Sequence, residues 1–157
     1  MLPVMMTLVE LKEIERAAET MLAPLFGASP QEVAVALQPR DEDYAAVFVG
    51  EAAATARAGF AALWAAPPRG LGKPGQTEVR AFALLAEALR NDSDLSREFP
   101  GGYRGIADKL SPGQVWLRFK FVPPGGSTGM AYDGLVWLEG RWAWFPKPWR
   151  FLGADGE

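Results

Sequence analysis

The side chains best suited to chemistry in this chain lie in its second half. The 157 residues include no cysteine and no histidine, which excludes disulfides, thiolate nucleophiles and zinc sites built on thiolates. Any acid–base chemistry must therefore use carboxyl, phenol, hydroxyl or ammonium groups. In an active site, Asp133, Tyr103 and Tyr132 would be the acid–base groups, and Arg141 or Lys120 would bind an anion. No metal and no cofactor is expected, because no motif with the required spacing is present.

Asp133 is the acidic residue with the most suggestive surroundings. Tyr132 stands beside it in the chain, and Arg118 or Lys120 on a neighbouring predicted strand could reach it. The alternative is a structural role, in which the carboxylate caps the end of a strand through local hydrogen bonds.

A cluster of aromatic and cationic side chains near the C-terminus is the most distinctive candidate binding site. It consists of Arg141, Trp142, Trp144, Lys147, Trp149 and Arg150. Aromatic walls would hold an apolar ligand while the cations hold its anionic group. The alternative, which strand spacing favours, is a packed sheet face with cations extending to solvent at its rim. The full set of candidate ligand-binding residues is Tyr103, Trp116, Lys120, Tyr132, Asp133, Arg141 and Trp144.

Shorter motifs also have both a functional and a structural interpretation. Gly101-Gly102 could present backbone N–H groups to an anion, but a turn is the commoner role of such a pair. The acidic segments 41–43 and 92–94 could hold a hard cation, but helix caps or solvated turns are favoured. The segment 70–74 resembles a phosphate loop only superficially, because its lysine is followed by proline.

Charge and hydropathy argue against nucleic-acid and membrane partners. The net charge is −3 and the pI about 5.1, and the basic residues form no stripe. The electrostatic footprint of a nucleic-acid binder or of an anionic-membrane anchor is therefore missing. No stretch approaches the about 18 apolar residues of a transmembrane helix. Residues 1–7 lack a basic n-region and a cleavage pattern, so we expect no signal peptide and a cytoplasmic location.

Capping motifs and hydrophobic spacing predict helices in the first half of the chain. Thr7–Glu10 and Ser29–Glu32 are capping boxes, each followed by apolar residues at helical spacing. Asp41 can cap a third helical region, which Gly50 is placed to break in two. Residues 66–77 are rich in glycine and proline and are predicted to be a loop.

Residues 78–90 fit a helix and a strand almost equally well. The helical pattern uses Val79, Phe82, Leu85, Ala86 and Leu89. The strand pattern uses Val79, Ala81, Ala83 and Leu85. We favour the helix for this segment.

From residue 114 the period of the hydrophobic pattern changes to two. A first strand begins at Gln114 and a second runs from Met130 to Leu138. Glu139-Gly140 has the form of a two-residue hairpin turn, which sets Trp137 opposite Trp142 and Leu135 opposite Trp144. Three tryptophans then share one sheet face, which must contact helices, a ligand or another chain.

Helices followed by antiparallel strands define the α+β class, with N-terminal helices packed on a C-terminal curved antiparallel sheet. Residues 1–157 are predicted to form a single domain.

This arrangement of helices and strands resembles the cone-shaped NTF2-like superfamily. Segments Asp133–Trp137, Arg141–Arg150 and Phe99–Arg104 are similar to segments of uncharacterised bacterial proteins. The resemblance implies a cone, which in that superfamily serves isomerases, dehydratases, ligand carriers or catalytically silent partners. Its isomerase-type members often use a His or Asp base.

Three functions compete on this basis. The first is a non-catalytic binding or protein-interaction module, whose tryptophan-rich sheet would dock a partner or form a homodimer. The second is a small-molecule carrier or an isomerase- or dehydratase-type enzyme with an aromatic pocket rimmed by cations. The third is an oligosaccharide binder that stacks sugars on tryptophan. A closed core without a pocket of about 300 Å³ would remove the second.

Overall fold

The computed structural model describes residues 7–68 and 70–153. Residues 1–6, most of the segment on which the expectation about a signal peptide rests, lie outside that part. Helices come first and are followed by an antiparallel sheet with the strand order β1-β2-β3-β4. The α+β class predicted from the sequence is therefore confirmed, and the four strands form an open sheet. Among the described residues, no helix has the length and apolar character needed to cross a membrane.

The elements follow one another in a simple order. The helices before the sheet are α1 (Leu8–Leu22), α2 (Pro30–Leu37), α3 (Asp41–Val47) and α4 (Glu51–Ala65). The strands are β1 (Glu78–Leu85), β2 (Val115–Val122), β3 (Met130–Trp137) and β4 (Trp142–Trp144). Two short helices complete the fold, α5 (Gly102–Ile106) between β1 and β2 and α6 (Trp149–Leu152) after β4.

Both predicted capping boxes are present. The Glu10 N–H donates to Thr7 Oγ1 at 3.1 Å, and the Thr7 N–H donates to Glu10 Oε1 at 2.8 Å. Ser29 and Glu32 exchange the same pair of hydrogen bonds at the start of α2. The third helical region is divided into α3 and α4 on either side of Gly50, which has a φ of 53° and is the N-cap residue of α4.

The helix predicted for residues 78–90 is wrong for most of that segment. Glu78–Leu85 is strand β1, which pairs antiparallel with β2 along its whole length. Only Ala86–Arg90 is helical, as a 3₁₀ helix. The local pattern allowed both periods, and pairing with the long apolar strand β2 decided between them.

Two glutamates of α1 cover the outer edge of β1. Glu15 Oε2 accepts a hydrogen bond from the Ala83 N–H at 2.8 Å, and Glu19 Oε2 accepts one from the Ala81 N–H at 2.9 Å. Four residues of helix rise about 6 Å, which is close to the length of two residues of strand. Two glutamates four residues apart on α1 can therefore reach two backbone N–H groups that lie two residues apart on the edge of β1. This contact protects an edge that would otherwise invite pairing with another chain.

Removing one of these carboxylates should destabilise the fold. Glu15→Ala leaves the buried Ala83 N–H without an acceptor, and we expect the free energy of unfolding to fall by about 1–3 kcal/mol. Chemical denaturation followed by circular dichroism measures this change. Glu13→Ala, at an exposed position of the same helix, is the control and should change stability by less than about 0.5 kcal/mol. Equal effects of the two substitutions would show that the edge contact does not stabilise the fold.

The predicted β3–β4 hairpin is confirmed in its register. Leu135 pairs with Trp144, Val136 with Ala143 and Trp137 with Trp142. The turn residues Glu139 and Gly140 have φ values of 47° and 100°, as a type I′ turn requires.

Helices and loops cover both faces of the sheet at its centre. On one face, Trp144 packs edge-to-face against Trp64 of α4, with ring centroids 6.3 Å apart. On the other face, Trp116 packs against Phe48 and Tyr103. Trp137 and Trp142 contact each other at 4.8 Å and remain half-buried at the hairpin end. The tryptophan face is therefore mostly an internal packing surface.

Candidate functional site

A cleft of about 460 Å³ opens beside β2 and the first half of β3. Its far wall is the segment around Phe99 and Pro100, and Lys147 borders it after β4. The charged residues that line it are Arg97, Glu98, Arg118, Lys120, Asp133 and Lys147. The cleft therefore has four cations and two carboxyl groups, in a chain whose overall charge is negative.

A β-bulge positions Asp133 in this cleft. Leu117 pairs with Leu135 and Phe119 pairs with Tyr132, so Asp133 and Gly134 together lie opposite a single residue of β2. The bulge reverses the alternation of β3. The Tyr132 ring stacks on Phe119 on one face of the sheet, whereas the Asp133 carboxyl lies on the opposite face with Tyr103.

The Asp133 carboxyl group is held by two donors on one oxygen. Oδ1 accepts the Tyr103 O–H at 2.7 Å and the Lys147 N–H at 2.9 Å. The Asp133 backbone carbonyl accepts the Trp144 indole N–H at 2.7 Å. These contacts attach the bulge to α5 and to the segment after β4. Oδ2 receives no hydrogen bond from the described residues, although Asp133 is only 6% exposed.

Burial raises the pKa of both groups of this pair. It raises the pKa of Asp133, an effect that the Tyr103 hydrogen bond and the Lys147 N–H only partly offset. It also raises the pKa of Tyr103 well above its usual value, and the neighbouring Asp133 charge acts in the same direction. Tyr103 is completely buried, so its phenol remains a proton donor to Asp133 and has no direct access to a ligand.

Lys147 adopts a backbone conformation that non-glycine residues rarely use. Its φ is 51°, which costs about 1–2 kcal/mol in a residue with a Cβ. The conformation points its N–H at Asp133 while its side chain lies exposed at the cleft. Pro146 and Pro148 on either side restrict the chain here.

Two of the four cations in the cleft are neutralised by neighbouring carboxylates. Arg118 forms an ion pair with Glu98, and Arg97 forms one with Asp92 at 3.0 Å. Lys120 and Lys147 have no ion-pair partner among the described residues. Their two ammonium groups therefore give the cleft a positive charge that can attract an anion.

The structure brings only some of the predicted ligand-binding residues together. Lys120, Tyr132 and Asp133 line the cleft, and Tyr103 lies beneath it through its hydrogen bond to Asp133. The remaining predicted residues do not line the cleft: Trp116 and Trp144 are buried in the core, and Arg141 pairs with Asp43 of α3.

The predicted partners of Asp133 are wrong. The sequence indicated Tyr132 with Arg118 or Lys120, but the hydrogen bonds come from Tyr103 and from the Lys147 backbone. The Tyr132 hydroxyl instead accepts the Gly72 N–H at 2.8 Å. Ordinary alternation turns Tyr132 to the face opposite Asp133. The bulge turns Asp133 away from the face of Leu135 and toward Tyr103.

The shorter motifs have structural roles. Gly102 begins α5, and a Cβ there would collide with the Trp149 ring, so Gly102 allows α5 to pack closely against Trp149. The acidic segment 41–43 caps α3, but through Asp43, which accepts the N–H of the N-cap residue Arg40 at 2.7 Å. The prediction that Asp41 is the cap is wrong, because Asp41 is the first residue of the helix. Asp92 pairs with Arg97 in an exposed turn. Within the described ranges, no group of three or more acidic side chains is arranged to hold a metal ion.

Comparison with known proteins finds no family model, no curated protein and no solved structure that matches this chain. Fold and site together define an α+β domain with a cationic cleft built around a buried carboxyl–phenol pair.

The Arg141–Asp43 ion pair should contribute to stability only while Asp43 is charged. Burial acts to raise the pKa of Asp43, but hydrogen bonds from Arg141 and the Arg40 N–H outweigh it, and the pKa is lowered. A carboxyl group whose pKa is lower in the folded state stabilises the fold at pH values above its pKa in the unfolded chain, about 3.9. This stabilisation is lost as the pH falls through the pKa of the folded state. Asp43 is only 2% exposed, so Arg141→Gln should cost about 2–3 kcal/mol near neutral pH.

Urea denaturation near neutral pH and again at about pH 3 tests this pair. The gap in stability between the wild-type protein and Arg141→Gln should narrow at the acidic pH, because a pH of about 3 lies below the unfolded pKa of Asp43 and the stabilisation from its lowered folded pKa is then being lost. Arg16→Gln, at an exposed position of α1, is the control and should leave both values unchanged. A gap that stays constant with pH would contradict the ion-pair assignment.

Proposed function

We propose that this protein is a non-catalytic binding module that holds the anionic group of a ligand in the cleft beside β2 and β3. The observation that carries the proposal is the pair of ammonium groups, Lys120 and Lys147, that have no carboxylate partner among the described residues. Phe99 and Pro100 supply apolar lining beside them. The full burial of Tyr103 supports a binding role, because a covered phenol is out of reach of a ligand in the cleft. We also propose that the protein is located in the cytoplasm.

The interaction surface in this proposal is the cleft and not the tryptophan face. Trp144 is covered by α4, and only Trp137 and Trp142 at the hairpin end are half-buried. A homodimer through the sheet or the stacking of sugars on these rings would have to use that small end alone. The cleft, by contrast, is lined by six charged residues.

The second candidate is an isomerase- or dehydratase-type enzyme, as the NTF2-like resemblance implies. A specific observation favours it. The Asp133 carboxyl has a raised pKa and borders a cleft larger than the about 300 Å³ that a small ligand needs. Asp133 would then act as a general base toward a proton next to a ligand carbonyl.

Calorimetric titration with succinate and with inorganic phosphate tests the binding proposal. We expect saturable binding whose affinity falls as the salt concentration rises. The double substitution Lys120→Ala/Lys147→Gly should weaken it by about tenfold or more. Lys12→Ala on α1, remote in sequence from the cleft residues, is the control and should bind as the wild type does. Equal affinities in the double variant and the control would overturn the proposal.

Hydrogen–deuterium exchange of a bound carbon acid separates the two candidates. Levulinate carries a carboxylate for the lysines and protons next to a ketone, and NMR in deuterated buffer follows their exchange. The binding module should leave the exchange rate unchanged. Exchange that is accelerated by the wild type and lost in Asp133→Asn would establish the enzyme instead.

A further inference from the structure

The hydrogen bonding of Asp133 is incomplete in a way that points toward the cleft. Oδ1 has two donors, whereas Oδ2 has none among the described residues. Buried carboxylate oxygens normally accept at least one hydrogen bond, and only 6% of Asp133 is exposed. Oδ2 is not sealed inside the protein, since the residue lines the cleft. The missing donor can therefore come from a bound molecule.

The surrounding charges define what such a molecule must carry. An anion beside Lys120 and Lys147 would be attracted by both ammonium groups, but it would also approach the Asp133 carboxylate. Like charges repel, so this approach disfavours an anion that carries no positive group. A ligand that also brings a positive N–H donor removes this repulsion and supplies the missing hydrogen bond of Oδ2.

We infer that the cleft selects small zwitterions, with a carboxylate held by Lys120 and Lys147 and an ammonium group donating to Oδ2 of Asp133. The inference rests on the proposed function and names the ligand class of the same site. Simple amino acids are the smallest molecules of this kind, and a cleft of about 460 Å³ accommodates them.

Lys147 has a specific place in this arrangement. Its N–H orients Oδ1 of Asp133, and its φ of 51° places the side chain at the cleft. Glycine adopts the same backbone without strain. Lys147→Gly should therefore keep the N–H contact and the thermal stability while it weakens binding of the carboxylate. A purely structural Lys147 would show no loss of affinity.

Calorimetry with three matched probes tests the inference: β-alanine, propionate and ethylamine. We expect β-alanine to bind at least about tenfold more tightly than either single-charge probe. In Asp133→Asn, β-alanine should lose this advantage and bind like propionate. Lys147→Gly and Lys120→Ala should weaken β-alanine and propionate alike. Thermal unfolding of each variant shows whether it is folded, and the comparison of the three probes on the wild type needs no variant.

The possible failures are distinguishable. One such result is that propionate binds as tightly as β-alanine and that its affinity rises in acid. Asp133 then takes up a proton in the complex, so the zwitterion inference falls and the anion-binding proposal stands. Tyr103, Lys147 and Arg150 influence the pKa of Asp133, and Arg118 and Lys120 share its cleft. Asp133→Asn is therefore the control for this outcome: if Asp133 is the group that takes up the proton, the variant must show no such pH dependence. If none of the three probes binds, and succinate and phosphate also fail, the inference and the proposed function fall together.

Discussion

Replacing Trp144 with alanine should lower the free energy of unfolding by about 3–5 kcal/mol. The side chain is 3% exposed and packs against Trp64, Phe119 and Tyr132 with ring centroids 6.2–6.3 Å apart. Its indole N–H also donates to the Asp133 carbonyl at 2.7 Å, so alanine leaves both a cavity and an unpaired buried acceptor. Guanidinium denaturation followed by far-ultraviolet circular dichroism measures the loss without depending on tryptophan fluorescence.

Trp137→Ala is the matched control for this experiment. Trp137 of β3 lies on the same face of the sheet, but it is half-buried and its aromatic contact is with Trp142 at 4.8 Å. We expect a loss of only about 1 kcal/mol. A Trp144 variant that keeps wild-type stability but loses ligand affinity would instead place Trp144 in a binding pocket, as the aromatic-cluster hypothesis supposes. Trp144→Phe isolates the hydrogen bond, because most of the ring volume is retained.

The parts of the fold that were predictable are those that local chemistry decides. Each capping box depends on two side chains three residues apart, and both were found where the pattern indicated. The β3–β4 register depends on a two-residue turn, and Glu139 and Gly140 adopt the positive φ values that such a turn needs. The α+β class follows from the change of period near residue 114.

Strand β1 shows why local patterns were insufficient elsewhere. Its residues suit both a helix and a strand, and distant groups decide between them. Lys120 and Phe121 of β2 pair with Arg80 and Val79, while glutamates of α1 accept the N–H groups of its other edge. These partners lie roughly 40 residues after the strand and more than 60 residues before it. No window of the sequence that contains the strand alone includes them.

The candidate site was predictable in its residue types but not in its geometry. Asp133, Lys120 and Tyr103 were identified from their chemistry, and they lie at or beneath one cleft. The hydrogen bond between Tyr103 and Asp133 joins residues that are 30 positions apart. It depends on the bulge, because regular alternation would turn Asp133 to the face of Leu135. Lys147 was assigned to an aromatic–cationic cluster, whereas its backbone N–H proved to be its most specific contact with the site.

Gly134→Ala should therefore have a large effect on both the fold and the site. Gly134 has a φ of 90°, and a Cβ there would collide with the carbonyl oxygen of Phe145. Alanine would carry the strain of a positive φ and a clash with backbone that cannot rotate away, so we expect a loss of about 3 kcal/mol or more. Thermal and urea denaturation measure the loss, and binding of β-alanine measures the effect on the site.

Gly75→Ala separates the two causes. Gly75 has a φ of 84° and no neighbouring atom within reach of an added Cβ, so its substitution should cost only the strain of the backbone, about 1–2 kcal/mol. The difference between the two variants is the cost of the clash with Phe145. Gly134 follows Asp133 in the chain and contacts Phe145 and Pro146, which precede Lys147. A movement that relieves the clash would therefore shift Asp133 relative to Lys147. If Gly134→Ala costs no more than Gly75→Ala and binds β-alanine normally, then the bulge does not hold the carboxyl in place.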